Sequence, residues 1–253
     1  MLNMISHGEP TDRPPLLIVH GLYGSARNWG VIAKKLSDER QVFAVDMRNH
    51  GNSDWQDSHS YPDMAADLAE VLNEIGPADV LGHSMGGKAC MVAALHTPDL
   101  IKRLVVADIA PVPYTHTQAQ FIVAMKAVNL ETVEKRSDAV AQLAAAGVED
   151  PTLRNFFTQS LDLKAKKWRL NLDVLQAEMD KIVGFPTDVS GEFDKPTLFL
   201  SGAMSDYVLP EHRPTIREFF PKAQFVKMSG AGHWLHAEKP AEFMATVRAW
   251  LNR

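Results

Sequence analysis

The sequence predicts an α/β fold: a mostly parallel sheet flanked by helices and interrupted by an inserted helical cap. Three observations carry that prediction. Short β-rich apolar runs alternate with segments of 3.6-residue periodicity. Several runs are apolar on both faces, as parallel strands covered by helices must be. One connection is far longer than a strand–helix–strand crossover needs.

The runs Leu16–His20, Gln41–Asp46, Ala78–Gly82, Arg103–Ala107, Thr197–Ser201 and Gln224–Met228 are too short for helices and read as strands. Between them, Trp29–Leu36, Tyr61–Ile75, Met85–His96, Pro210–Phe220 and Lys239–Asn252 carry helical periodicity. In the last of these Phe243, Val247, Trp250 and Leu251 recur at helical spacing. The long connection runs from Asp108 to Pro196, and its apolar stripes predict helices over Gln118–Asn129, Glu131–Ala146, Pro151–Leu161 and Asn171–Ile182. Pro111 and Pro113 stand at its entry, Gly184 and Pro186 near its exit. The chain therefore divides into a core of residues 1–110 and 191–253 and a helical cap of residues 111–190.

Composition bounds the partners. The 253 residues are 45% hydrophobic and 23% charged, enough to bury one sizeable core. Against 31 Asp and Glu stand 26 Lys and Arg, so a net charge of −5 offers no global field for a nucleic acid. The lone Cys90 rules out an internal disulfide. The first residues show neither a basic region nor an apolar run of signal-peptide type, and no segment reaches the ~18 apolar residues of a membrane span. A cytoplasmic monomer or homodimer acting on a small molecule is the expectation. With no HExxH, paired-cysteine or Walker pattern, no metal and no cofactor are expected.

The third predicted strand runs into Gly82-His83-Ser84-Met85-Gly86-Gly87-Lys88, a GxSxG pattern in a strand–turn–helix setting. That setting makes a nucleophile elbow: small flanking residues let backbone pass close to a strained serine and leave its hydroxyl exposed. Met85, after Ser84, is a candidate for one oxyanion-binding amide. Leu22, in His20-Gly21-Leu22-Tyr23-Gly24 after the first long strand, is the candidate for the other.

A serine hydroxyl needs a general base. Among 10 histidines, His233 follows the last strand in a glycine loop, satisfying the chain order serine, acid, histidine. His236 is its nearest rival. His20 and His83 belong to motifs that demand backbone shape, and His96 ends a helix. His7, His59, His116 and His212 sit among polar neighbours that predict solvated side chains. For the acid, Asp108 and Asp206 both follow strand ends, where α/β folds build their sites, and the residues alone leave both open. Tyr23, Tyr114, Trp168, Tyr207 and Trp234, with Phe156 and Phe157, are candidates to line a substrate pocket. Lys164, Lys166, Lys167 and Arg169 form a basic cluster that reads as a solvated turn or as a phosphate contact. Lys88 is expected to pack its stem and solvate its head.

Five phrases together resemble the α/β-hydrolase superfamily, and within it the bacterial YbfF-like esterases, over essentially the whole chain. They are His20–Ser25, Asp46-Met47-Arg48-Asn49-His50-Gly51-Asn52-Ser53, Gly82–Lys88, Asp108–Val112 and Gly232–Pro240. The resemblance implies a carboxylester or thioester hydrolase with a small helical cap, acting on acyl esters or acyl-CoA thioesters through an acyl-enzyme. It also implies that the acid is Asp108, whereas most of the wider superfamily uses the position of Asp206. A carbon–carbon bond hydrolase or lyase with the same three residues, and a slowly turning ligand receptor, are the alternatives.

Overall fold

The computed structural model describes all 253 residues. A seven-stranded sheet has the order β1-β3-β2-β4-β5-β8-β9, comprising β1 (Met4–His7), β2 (Leu16–Val19), β3 (Val42–Val45), β4 (Ala78–His83), β5 (Ile101–Ala107), β8 (Thr197–Gly202) and β9 (Ala223–Met228). All pairings are parallel except β1 against β3. The antiparallel β1 is absent from the sequence reading. Its four residues, Met-Ile-Ser-His, are only partly buried at the sheet edge, so no apolar run announces them.

Alternation along β2 shows why the sheet needs helices on both faces. Leu17 and Val19 join the larger apolar cluster, with α2 (Tyr61–Ile75) and α3 (Met85–His96). Leu16 and Ile18 join the smaller one, with α1 (Gly30–Leu36) and the C-terminal helix Pro240–Leu251. Side chains two apart share a sheet face, so a strand buried on both sides reads as continuously apolar. Helix α2 starts where Ser60 accepts Asp63 N–H and Pro62 occupies the first turn. It ends at Gly76, whose φ of +84° favours glycine.

Between β5 and β8 the chain carries α4 (Ala119–Lys126), α5 (Arg136–Ala145) and α6 (Pro151–Thr158). There follow the hairpin strands β6 (Leu161–Asp162) and β7 (Lys167–Trp168), then α7 (Leu172–Ala177) and α8 (Met179–Val183). These are shorter than the periodicity predicts. The stretch expected to be helical from Glu131 starts only at Arg136, because Leu130–Thr132 forms a separate 3-10 turn capped by the Asn129 side chain. The stretch expected over Asn171–Ile182 is two helices meeting at Glu178. Apolar stripes persist through such breaks, so periodicity does not register them.

This segment is tied to the sheet layer by polar contacts. Tyr61 Oη donates to Ile182 O at 2.6 Å, Tyr23 Oη to Gln118 O at 2.9 Å, and Gly51 N–H to Arg169 O at 2.8 Å. No helix is long and apolar enough to cross a membrane.

Candidate active site

Ser84 is the single residue between β4 and α3, with φ +52° and ψ −122°, a conformation that side chains rarely adopt. Two close approaches make the turn possible. A Cβ on Gly82 would lie 2.5 Å from Gly86 O, and one on Gly86 would lie 2.3 Å from His20 O. Glycine at both positions lets the strand, the helix start and the His20 loop pack against each other.

Register then brings distant residues to the serine. His83 pairs with Ala107 and Ala107 with Leu200, so Ser84, Asp108 and Ser201 emerge side by side at one edge of the parallel strands. His233 reaches the same edge on the loop after β9, and Glu238 holds that loop by accepting Gly232 N–H at 2.7 Å and Trp234 N–H at 3.2 Å. His83 adds a further hold, donating from Nε2 to His233 O at 2.9 Å.

His233 Nε2 lies 3.0 Å from Ser84 Oγ, and His233 Nδ1 lies 2.8 Å from Asp108 Oδ2. Asp108 is fully buried, and its carboxylate also accepts Gly202 N–H at 2.9 Å and Ser205 Oγ–H at 2.5 Å. With both oxygens occupied, the carboxylate is locked in one orientation. Asp206, the other candidate acid, is exposed and makes no side-chain hydrogen bond or ion pair. His236, the rival base, is stacked on Trp29 at 4.2 Å, and burial pushes its pKa down to about 3.

Leu22 and Met85 both line the cavity that holds Ser84. The Leu22 N–H has no acceptor within the protein. Met85 is the first residue of α3, where an N–H has no preceding helical turn to bond. The cavity encloses about 300 Å³, and its walls are mostly apolar, with Phe121, Leu153, Phe156 and Phe157 from the inserted segment.

Of the residues expected at the pocket, Tyr23, Tyr114, Tyr207 and Trp234 line the cavity. Tyr207 stacks on the His233 ring at 4.1 Å. Trp168 does not line it. Its indole is buried within the inserted segment, donating to Met125 O at 3.0 Å, because β7 turns it toward α4 instead of the serine. The basic cluster also lies elsewhere: Lys166 Nζ donates to the Val133 and Glu131 carbonyls, and Arg169 pairs with Asp162 at 2.8 Å.

Two further residues depart from their sequence expectations. Lys88 does not solvate its head. Its ammonium is buried at the cavity wall, donates to the Val183 and Gly184 carbonyls at 3.0 and 2.5 Å, and lies 4.6 Å from the Tyr114 ring centre. Burial lowers its pKa to about 7. His59 is fully buried, whereas His116 stays exposed and is hydrogen-bonded to Tyr207 Oη at 2.7 Å. Ser205, which orients Asp108, carried no signal, since a loop serine has no pattern of its own.

A family model described as the α/β-hydrolase fold matches residues 14–240. The sn-1-specific diacylglycerol lipase ABHD11 of Mus musculus is 42% identical over 251 residues, covering 94% of this chain and 81% of that protein. Esterase YbfF of Escherichia coli K12 is 37% identical over 244 residues, covering 95% and 94%. The solved structure of a marine microorganism esterase superposes with a TM-score of 0.92 at 36% identity, covering 98% of both chains. With that breadth of match, the chain belongs to the α/β-hydrolase family, among its YbfF-like esterases.

Proposed function

We propose that the protein hydrolyses carboxylic esters through a covalent acyl-enzyme, with Ser84 as nucleophile, His233 as general base and acid, and Asp108 as the orienting carboxylate. The observation that carries the reading is the unbroken chain Asp108–His233–Ser84, at 2.8 and 3.0 Å, opening on an apolar cavity. The esterase and lipase relatives support the reaction class.

Ser84 Oγ attacks the ester carbonyl while His233 Nε2 takes the hydroxyl proton. The developing oxyanion receives the N–H groups of Leu22 and Met85, and losing one such donor typically costs ~10²–10³ in kcat. Asp108 accepts His233 Nδ1–H, which selects the tautomer with a free Nε2 and stabilises the imidazolium. His233 returns its proton to the leaving alcohol, and water then releases the acid by the same groups. Residues 111–190 act as the cap, supplying the aromatic wall against the acyl chain. An acyl-CoA thioester presents the same carbonyl and is the second substrate class to assay.

The test combines a fluorophosphonate probe with a panel of p-nitrophenyl esters and acyl-CoAs of increasing length. Stoichiometric labelling of Ser84, abolished in a folded Ser84→Ala variant, together with turnover of at least one ester series, is expected. An unlabelled Ser84, or no turnover across the panel, would overturn the proposal.

A further inference from the structure

The segment after β3, Asp46–Ser53, has no part in the chemistry described so far, yet it frames the loop that carries Leu22. We propose that His50 is a positioning residue for the oxyanion: by accepting Tyr23 N–H, it holds the Gly21–Leu22 peptide with the Leu22 N–H turned toward the carbonyl that Ser84 attacks. The inference rests on the esterase reading of Ser84.

The orientation follows from peptide geometry. Gly21 O accepts Gly24 N–H at 3.0 Å and is 2.7 Å from His20 Nδ1. In a trans peptide the carbonyl and the following N–H point in opposite directions. Two donors on Gly21 O therefore turn the Leu22 N–H away from them, and it meets no acceptor within the protein.

The next peptide is held from the other side. Tyr23 has φ +64°, a left-handed conformation unfavourable to a residue with a Cβ. Such a conformation persists only where its surroundings over-determine it. Here Tyr23 N–H donates to His50 Nε2 at 3.1 Å, Tyr23 O accepts Ser160 Oγ–H at 3.1 Å, and Tyr23 Oη donates to Gln118 O. Release of Tyr23 N–H would let the residue relax to negative φ and rotate the Leu22 amide with it.

The frame fixes the tautomers it needs. His50 Nε2 is an acceptor, so its proton is on Nδ1, which donates to Arg48 O at 2.9 Å. His20 Nε2 accepts Met47 N–H at 2.9 Å, so its Nδ1 carries the proton given to Gly21 O. The two rings stand 5.1 Å apart, and burial keeps both neutral by lowering their pKa values. Asp46 closes the frame: its carboxylate accepts Ala26 N–H and Asn52 N–H at 2.8 and 2.9 Å. Gly51 is required beside it, since a Cβ there would lie 2.2 Å from the carboxylate carbon.

The experiment compares His50→Leu, which removes the acceptor, with His50→Gln, whose Oε1 can replace Nε2. Esterase turnover is measured together with inhibition by an alkyl trifluoromethyl ketone, which forms a tetrahedral oxyanion on the serine. His50→Leu is expected to lower kcat by ~10²–10³-fold with KM nearly unchanged, to weaken the ketone by a similar factor, and to be largely rescued by His50→Gln. A folded His50→Leu protein that keeps its kcat, or loses kcat without loss of ketone affinity, overturns the proposal. A measurement on the wild type needs no variant: ¹⁵N shifts should show His50 protonated at Nδ1 alone near neutral pH, and a proton on Nε2 overturns it. A wild type with neither turnover nor Ser84 labelling would remove the esterase reading and this inference together. An active wild type with indifferent His50 variants removes only the frame.

Discussion

Asp108 Oδ2 sits 2.8 Å from His233 Nδ1 although the two residues are 125 positions apart, and Ser205 Oγ donates to the same oxygen. Its neighbour in that loop, Asp206, stays in solvent. The loop after β8 thus contributes a hydroxyl to the carboxylate, in place of the carboxylate that many α/β sites draw from it.

Asp108→Asn is expected to lower kcat by roughly 10⁴, because an amide opposite Nδ1 favours the wrong imidazole tautomer. Asp206→Asn should change kcat no more than a few-fold. Steady-state kinetics on the best ester substrate check both, and the reverse order would move the orienting role to Asp206.

Gly86→Ala should damage stability and turnover together. Its Cβ would lie 2.3 Å from His20 O and 2.7 Å from Val19 O, backbone atoms with no side chain to yield. A loss of about 1–3 kcal/mol in urea unfolding is expected, as for overpacking elsewhere. The displaced His20 loop should cost kcat as well. A variant with wild-type stability and kcat would contradict the close packing at the elbow.

Lys88 should give stability a distinctive pH dependence. Burial lowers its pKa from the ordinary 10.5 to about 7, so between these values the unfolded chain binds more protons than the folded one. Stability from this group therefore rises with pH above 7 and levels off near the unfolded pKa. From pH 7 to pH 9 the gain is about 2 kcal/mol. Lys88→Met should lack it, and chemical denaturation at the two pH values compares the proteins. Equal pH slopes would show that the ammonium keeps its ordinary pKa.

Arg40→Leu should cost about 3–5 kcal/mol, the usual penalty for stripping a buried charge of its partner. Arg40 Nη1 lies 2.6 Å from Asp79 Oδ2, with the two side chains 3% and 0% exposed, and Arg103 lies farther off at 3.4 Å. Asp79 lies near the start of β4 and Ser84 follows its end, so the folded fraction should retain its turnover. Thermal unfolding with active-site titration separates the two effects, and a fall in kcat per labelled serine would contradict that independence.

Local sequence was sufficient for much of the frame. The run Leu16–Val19 could be buried on both faces only as an interior strand, and Gly82 and Gly86 flank a serine whose turn tolerates no larger neighbour. These are short-range constraints of side-chain period and backbone sterics, so adjacent residues record them. The edge strand Met4–His7 and the break at Glu178 escaped, the first because it is half polar, the second because a bend between short helices leaves the apolar stripe unbroken.

Tertiary structure alone decided the long-range matters. Whether Asp108 or Asp206 faces His233 depends on the β5–β8 register and on how the following loop turns, and both aspartates look alike in one dimension. Trp168 packs inward and the Lys88 ammonium is buried because the inserted segment folds back over α3 and the sheet edge, contacts made between residues far apart in the chain. By itself the sequence determined the strand–turn–helix order and the residues able to do chemistry, since spacing and sterics write those locally. Which of them meet was decided by packing, because burial and hydrogen bonding act through space across separations that no sequence period encodes.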